Sequence, residues 1–146
     1  MYHSTVKYKK GYDYILVESR VYKTSVQPDY TVHTSYVSLF PNGDLHIKEG
    51  YAWDGASGAF DTDTNMRASL IHDALVQLVQ EGKLGREYKA DIDHEYYSTC
   101  RRDGMALLRA LSHLLAIQVH DWTKTQQKTY EAPSRPPQGK DNDEAQ

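Results

Sequence analysis

The spacing of apolar residues changes once along this chain, and that change constrains the fold more than any other feature. Between Tyr30 and Phe40 the β-branched and aromatic residues fall alternately on two faces, which is the period of a β-strand. From Asn65 onward the apolar residues recur every three or four positions, which is the period of an α-helix. A block of strands followed by a block of helices predicts an α+β fold.

We expect about three antiparallel strands in residues 12–49. The first covers Tyr12–Tyr22, where a shift in the alternation predicts a bulge, and the second covers Tyr30–Phe40. The sequence Pro-Asn-Gly-Asp at 41–44 predicts a tight turn, because asparagine and glycine accept positive φ angles. The alternating residues 45–48 then form a third strand, paired with the second as a hairpin.

Three packed helices are expected within residues 63–122, at about 65–81, 87–103 and 105–122, with glycines at their ends. The third helix is the most apolar and repeats large side chains at helical spacing: Leu108, Leu111, Leu115 and Val119. We therefore predict that this third helix is the main core helix, and that all three helices cover one face of the sheet.

The length and composition predict one folded domain with a polar extension. The chain has 146 residues, which is the size of a single domain, and we assign residues 1–130 to it. Residues 131–146 are proline-rich and then polar, which is typical of a disordered or extended tail. The single cysteine, Cys100, excludes an internal disulfide framework.

The charge and hydropathy of the chain limit the classes of partner and the location that we expect for it. The net charge is −3 and there is no basic block, which argues against nucleic acid as a partner. No apolar stretch is long enough to span a bilayer, and the first residues do not have the pattern of a secretory signal. We expect the protein to fold in a cytoplasm, and the sequence leaves its oligomeric state open.

Two short motifs contain the residues that are candidates for catalysis or for binding an ion. A glycine loop at 50–58 sets Asp54 between Trp53 and Gly55, and the first helix carries the adjacent pair His72 and Asp73. Neighbouring side chains on a helix diverge by about 100°, so this pair must face two different partners.

The second helix supplies an acid for His72 if it packs antiparallel to the first. We predict that Asp91, near its start, accepts a hydrogen bond from His72 and orients the ring as a general base. Asp73 would then face the glycine loop. The carboxylates of Asp73 and Asp54, with the backbone oxygen of Gly55, form a ligand set suited to Ca²⁺.

The same motifs resemble a family of uncharacterised tailed-phage and prophage proteins known as domain of unknown function 1353. The resemblance rests on Asp-Gly-Ala-Ser at 54–57, Leu-Ile-His-Asp-Ala-Leu at 70–75, and Arg86 with the Ala-Asp pair at 90–91, and it covers about residues 30–122. It implies a phage or prophage origin, and hence the host bacterial cytoplasm or the virion as the location. It implies no established activity.

The order of these motifs is also similar to the plan of small bacterial and viral phospholipase A2 enzymes. That resemblance implies that His72 is the general base, that Asp91 orients it, and that Asp73 with the loop at 54–58 binds calcium. Calcium would polarise the ester carbonyl and stabilise the oxyanion. The chain departs from the plan at Val76, where both families commonly have tyrosine.

Two classes of function follow. The first is a calcium-dependent hydrolase of an ester or phospholipid. The second is a non-catalytic virion or tail-associated protein that binds other phage-particle proteins, in which His72 and Asp91 only join two helices and Asp73 caps the loop. In the second class Trp53 fills the core beside a simple turn.

Overall fold

The computed structural model describes residues 14–53 and 64–119, and the backbone of two short strands at 8–9 and 141–142. The described strands are β1 Tyr8–Lys9, β2 Tyr14–Leu16, β3 Arg20–Lys23, β4 Val32–His33, β5 Val37–Leu39, β6 Asp44–Ile47, β7 Ala52–Trp53 and β8 Asp141–Asn142. The described helices are α1 Met66–Gln80, α2 Lys89–Arg102 and α3 Leu107–Gln118, with a short 3-10 turn at Arg86–Tyr88. The predicted α+β fold is confirmed, with more strands than the three expected.

The strands form two antiparallel sheets, ordered β7-β2-β1-β8 and β3-β6-β5-β4. The predicted first strand is divided between them, because its two halves have different partners. The backbone of Leu16 exchanges hydrogen bonds with Gly50 and Tyr51, whereas Arg20 pairs with Ile47 of β6. The expected bulge is therefore a break between two strands. Asp141–Asn142, within the predicted tail, pair with β1.

The predicted turn at 41–44 is confirmed as the connection between β5 and β6. Gly43 has a φ of 92°, and its N–H donates to the Phe40 carbonyl at 2.9 Å. The Gly43 carbonyl accepts the backbone N–H of Thr24 at 2.9 Å, and a Cβ at Gly43 would collide with the Thr24 carbonyl. Positive φ and this close approach both require glycine here.

The core lies between the strands and one face of α1. Five residues of α1 in this cluster are almost fully buried: Leu70, Ile71, Ala74, Leu75 and Leu78. Trp53, at the end of β7, is also fully buried, and its Nε1–H donates to Oγ of Ser69 at 3.2 Å. Trp53 therefore joins the sheet to α1, and these two elements flank the glycine segment in the sequence.

Two of the helices are followed by glycines, as predicted. Gly82 and Gly104, with φ of 73° and 100°, follow the ends of α1 and α2. Asn65 precedes α1 and makes no side-chain capping bond to the helix. No helix in the described part of the chain has the length and apolar content to cross a membrane.

The prediction that the third helix is the main core helix is wrong. Ala110 is the only fully buried residue of α3, and it packs in a small cluster with Tyr96, Cys100 and Met105. The four apolar residues that led to the prediction are all exposed: Leu108, Leu111, Leu115 and Val119. In the described residues α3 packs on α2 and contributes nothing to the cluster formed with the strands.

Candidate functional site

The interface between α1 and α2 brings a histidine against a buried acid. Nε2 of His72 lies 3.0 Å from Oδ1 of Asp93, and the two side chains are 14% and 1% exposed. His72 is one turn after Ala68, which is buried among the helices, so it shares the stripe that faces α2. Asp93 shares a stripe with the buried Tyr96 and Cys100, at three and seven residues along α2.

Both carboxylate oxygens of Asp93 have a partner, as a buried acid requires. Oδ2 accepts a hydrogen bond from Nζ of Lys89 at 2.7 Å, one turn earlier on α2. The Lys89 side chain is 29% exposed, so this second partner reaches Asp93 from the solvent side. Asp93 is thus shared between a ring inside the helix interface and an ammonium group at its edge.

The contact with Asp93 sets the tautomer of His72. A carboxylate only accepts hydrogen bonds, so Nε2 of His72 carries the proton and donates to Oδ1. A neutral imidazole that donates from Nε2 has its lone pair on Nδ1. Any proton that this ring takes up therefore goes to Nδ1.

The acid predicted to orient His72 was Asp91, and this prediction is wrong by two residues. Asp91 is exposed, and positions 91 and 93 are about 200° apart around a helix. The signal that would have favoured Asp93 is in the sequence: Asp93 is in phase with Tyr96 and Cys100, whereas Asp91 is in phase with the polar residues His94 and Ser98.

Of the three predicted calcium ligands, one lies in the described part of the chain. Asp54 and Gly55 lie outside the described residues, and Asp73 is a half-buried residue of α1. In the described ranges no group of three or more His, Cys, Asp or Glu side chains is close enough to hold a metal ion. A carboxylate at Asp73 fits a calcium site only if other oxygen ligands join it.

Tyr96, which the sequence did not single out, connects the histidine pair to α3. Its ring meets His72 edge-on at 5.6 Å between centroids, and its hydroxyl oxygen lies 2.9 Å from Nδ1 of His113. Burial raises the pKa of Tyr96 far above its ordinary value, with further contributions from Cys100 and Asp73. The phenol therefore keeps its proton and stays neutral, within hydrogen-bond distance of Nδ1 of His113.

Two neighbours of Tyr96 are kept neutral by their surroundings. Burial lowers the pKa of His113, with a further contribution from the positive charge of Arg109, which favours the neutral ring. Burial raises the pKa of Cys100 to about 12, against a smaller lowering effect of its hydrogen bond with Tyr96. At neutral pH Cys100 is a thiol, which is a poor nucleophile.

Two other buried acids of this region are held by arginines. Asp103 accepts two hydrogen bonds from Arg67 of α1, at 2.7 and 3.0 Å. Glu95 accepts from Arg102 at 3.1 Å, and from the backbone N–H and hydroxyl of Ser25 at 2.9 Å each. Asp93 differs from both, because one of its partners is a histidine and can lose its charge.

Comparison with known proteins adds no further assignment. No protein-family model matches the chain, and neither the curated proteins nor the solved structures contain a match.

Proposed function

We propose that the chain is an ester hydrolase that uses His72 as its general base and Asp93 as the carboxylate that orients it. The observation that supports this proposal is the 3.0 Å contact between Nε2 of His72 and an acid that is only 1% exposed. A buried carboxylate behind a partly exposed imidazole is the arrangement that fixes a ring for proton transfer.

The reaction follows from the tautomer of His72. As the oxygen of a water molecule attacks the ester carbonyl carbon, one of its protons moves to Nδ1 of His72. The imidazolium is then stabilised by the carboxylate of Asp93 through Nε2–H. When the tetrahedral intermediate collapses, the proton on Nδ1 passes to the leaving alkoxide, and the products are an acid and an alcohol.

Calcium is part of the same proposal. Asp73, with Asp54 and the backbone oxygen of Gly55, would hold the ion, which would supply positive charge for the developing oxyanion. The support is the chemistry of this donor set, which consists of hard oxygen ligands, and the position of Asp73 next to His72 in the sequence.

The test is hydrolysis of a p-nitrophenyl ester and of phosphatidylglycerol vesicles, with millimolar calcium or with a chelator. His72→Gln should lower kcat by about 100- to 10,000-fold, because the general base is lost. His94→Gln is the matched control, because His94 is an exposed histidine of α2 whose Nδ1 contacts Ser98 at 3.3 Å. It should keep the wild-type rate.

The outcomes separate the parts of the proposal. A wild-type rate of hydrolysis no higher than that of His72→Gln would contradict the proposal that the chain is a hydrolase. A wild-type rate that is the same with calcium and with chelator would remove the metal but leave the His72–Asp93 pair. Asp73→Asn should abolish the response to calcium while the unfolding transition stays cooperative.

A second function is favoured by one observation, the exposed apolar side of α3. In this case the chain is a non-catalytic protein that binds a neighbour, such as another protein of a phage particle, and the His72–Asp93 contact only joins α1 to α2. Under this function His72→Gln lowers the stability of the fold and changes no rate. The origin in a tailed phage or prophage, and a place in the host cytoplasm or the virion, rest on the sequence resemblance alone.

A further inference from the structure

The exposed side of α3 carries an apolar ridge, with the polar Gln118 near its C-terminal end. Five large side chains lie on it, with exposures from 42% to 80%: Leu107, Leu108, Leu111, Leu115 and Val119. Four of them are spaced by four residues, at 107, 111, 115 and 119, and at 100° per residue all five lie within an arc of about 120°. Such a row is the ridge that packs against another helix in the commonest class of helix crossing.

We propose that this ridge, Leu107–Val119, is an interface with a second copy of the chain, in which the two α3 helices pack antiparallel about a twofold axis. The proposal is independent of the hydrolase. It commits to one partner for three reasons, which are the symmetry of the ridge, its area and its charge.

The symmetry of the ridge suits self-pairing. A twofold interface requires that residue i contacts residue j and that j contacts i. An axis at position 113 sets Leu111 of one copy against Leu115 of the other, and Leu107 against Val119. Each large side chain of the row then meets another large side chain.

The area of the ridge is sufficient for a specific dimer. At their observed exposures the five side chains present roughly 500 Å² of apolar surface, so pairing would bury about 1,000 Å², the lower limit for a stable interface. The largest apolar patch on a typical monomer covers about 300–600 Å² and often has a function, so a patch of this size suits an interaction surface.

The charge of α3 favours a protein over a lipid surface. Arg109 is the only charged residue of α3 and lies about 140° from the centre of the ridge, so pairing buries no charge. A helix that lies on an anionic membrane carries several lysines or arginines on its polar face, and α3 has one. The net charge of −3 points the same way.

The segment that follows α3 has few apolar side chains with which to cover the ridge. Residues 120–140 contain no Leu, Ile, Val, Met or Phe, and their large apolar side chains are Trp122 and Tyr130. A second copy supplies five aliphatic side chains to the same surface. The composition of the segment therefore makes it a poorer partner than the ridge itself.

The mass of the full chain across a concentration series tests the proposal. Analytical ultracentrifugation should show the mass rise from monomer to dimer within a series that reaches about 100 µM. Leu115→Glu places a charge at the centre of the ridge and should raise the dissociation constant at least about 100-fold. Ala116→Glu is the control, because Ala116 is an exposed residue of the same helix about 120° off the ridge centre, and it should stay dimeric.

A cross-linking experiment tests the register. Under mild oxidation an equimolar mixture of Leu111→Cys and Leu115→Cys chains should form mixed disulfides faster than either variant alone. The native Cys100 is fully buried and does not compete. Faster self-linking of each single variant would overturn the antiparallel arrangement.

Three results would overturn the dimer itself. They are a wild-type monomer up to about 100 µM, an unchanged dimer in Leu115→Glu, and a monomer that becomes a dimer only when residues 120–146 are removed. The last result would assign the ridge to the chain's own C-terminal segment. A chain that stays monomeric and sediments with phosphatidylglycerol vesicles, and that loses this binding in Leu115→Glu, would assign the ridge to a membrane surface. That result would also overturn the proposal.

Discussion

Two ion pairs join α1 to α2, and they use their acids in different ways. Asp103 gives both carboxylate oxygens to the guanidinium of Arg67, with side chains that are 0% and 12% exposed. Asp93 gives one oxygen to His72 and the other to Lys89. The first acid therefore has one partner with a permanent charge, and the second has two partners, of which one is titratable.

The two pairs lie in the same helix interface but differ in what their basic partners can do. A bidentate contact to arginine fixes geometry, and the guanidinium keeps its charge at every accessible pH. A histidine can exchange a proton near neutral pH, whereas an arginine cannot. The proposed function therefore uses the His72–Asp93 pair.

The largest effect on stability is expected at the arginine pair. Asp103→Asn removes the buried carboxylate that accepts two hydrogen bonds from Arg67, and should lower the free energy of unfolding by about 3–5 kcal/mol. Urea denaturation followed by tryptophan fluorescence measures it. Asp91→Asn is the matched control, because Asp91 is an exposed acid of α2, and it should change stability by less than about 0.5 kcal/mol.

A loss below about 1 kcal/mol in Asp103→Asn would contradict this view of the pair. It would mean that the bidentate contact contributes no more than a surface ion pair, and the contrast with Asp93 would disappear.

Asp93→Asn should have a smaller effect, about 1–3 kcal/mol. The asparagine oxygen still accepts from one of the two donors, and Lys89 turns to solvent when its partner is lost because it is already 29% exposed. Urea denaturation on the same scale as Asp103→Asn measures the difference. An equal or larger loss at Asp93 would make this pair the main clamp of the interface, and a purely structural role would then explain it.

The sequence predicted this site only in part, and the reason is helix phase. The side chain of His72 faces the second helix, as predicted, because the spacing from Ala68 determines that face. The choice between Asp91 and Asp93 depends on which stripe of α2 is buried. The phase of Tyr96 and Cys100 marks that stripe, but the signal is weak because most of α2 is polar. The placement of Asp54 and Gly55 stays a prediction.

Local chemistry was a better guide than hydrophobicity elsewhere. The turn at 41–44 was predicted correctly because the requirement for glycine at Gly43 is set by its own backbone. The role of α3 was not, because a periodic apolar stripe shows that a helix has an apolar face without showing which surface covers it. Leu108 and Leu115 have the spacing of core residues and lie in solvent in the single chain.

The smallest of the three effects concerns His113, which joins α3 to α2 through neutral groups rather than ions. Its pKa in the folded chain is lowered below the ordinary value of 6.5, by burial first and then by Arg109. As the pH falls through 6.5 the unfolded chain takes up this proton before the folded chain does, so stability decreases until the pH passes below the folded pKa. Above that window the contribution is fully present.

His113→Asn isolates this contribution, because an asparagine oxygen can accept from the Tyr96 hydroxyl near the position of Nδ1 but does not titrate. Every other titrating group is shared by the two proteins. The stability of the wild type relative to His113→Asn, measured by urea denaturation at fixed protein concentration, should therefore decrease below about pH 6.5. A difference that is flat with pH would remove the His113 effect. An increase in stability on acidification would mean that folding raises the pKa of His113. The contact with Tyr96 would then involve a charged group, as the ion pairs between α1 and α2 do.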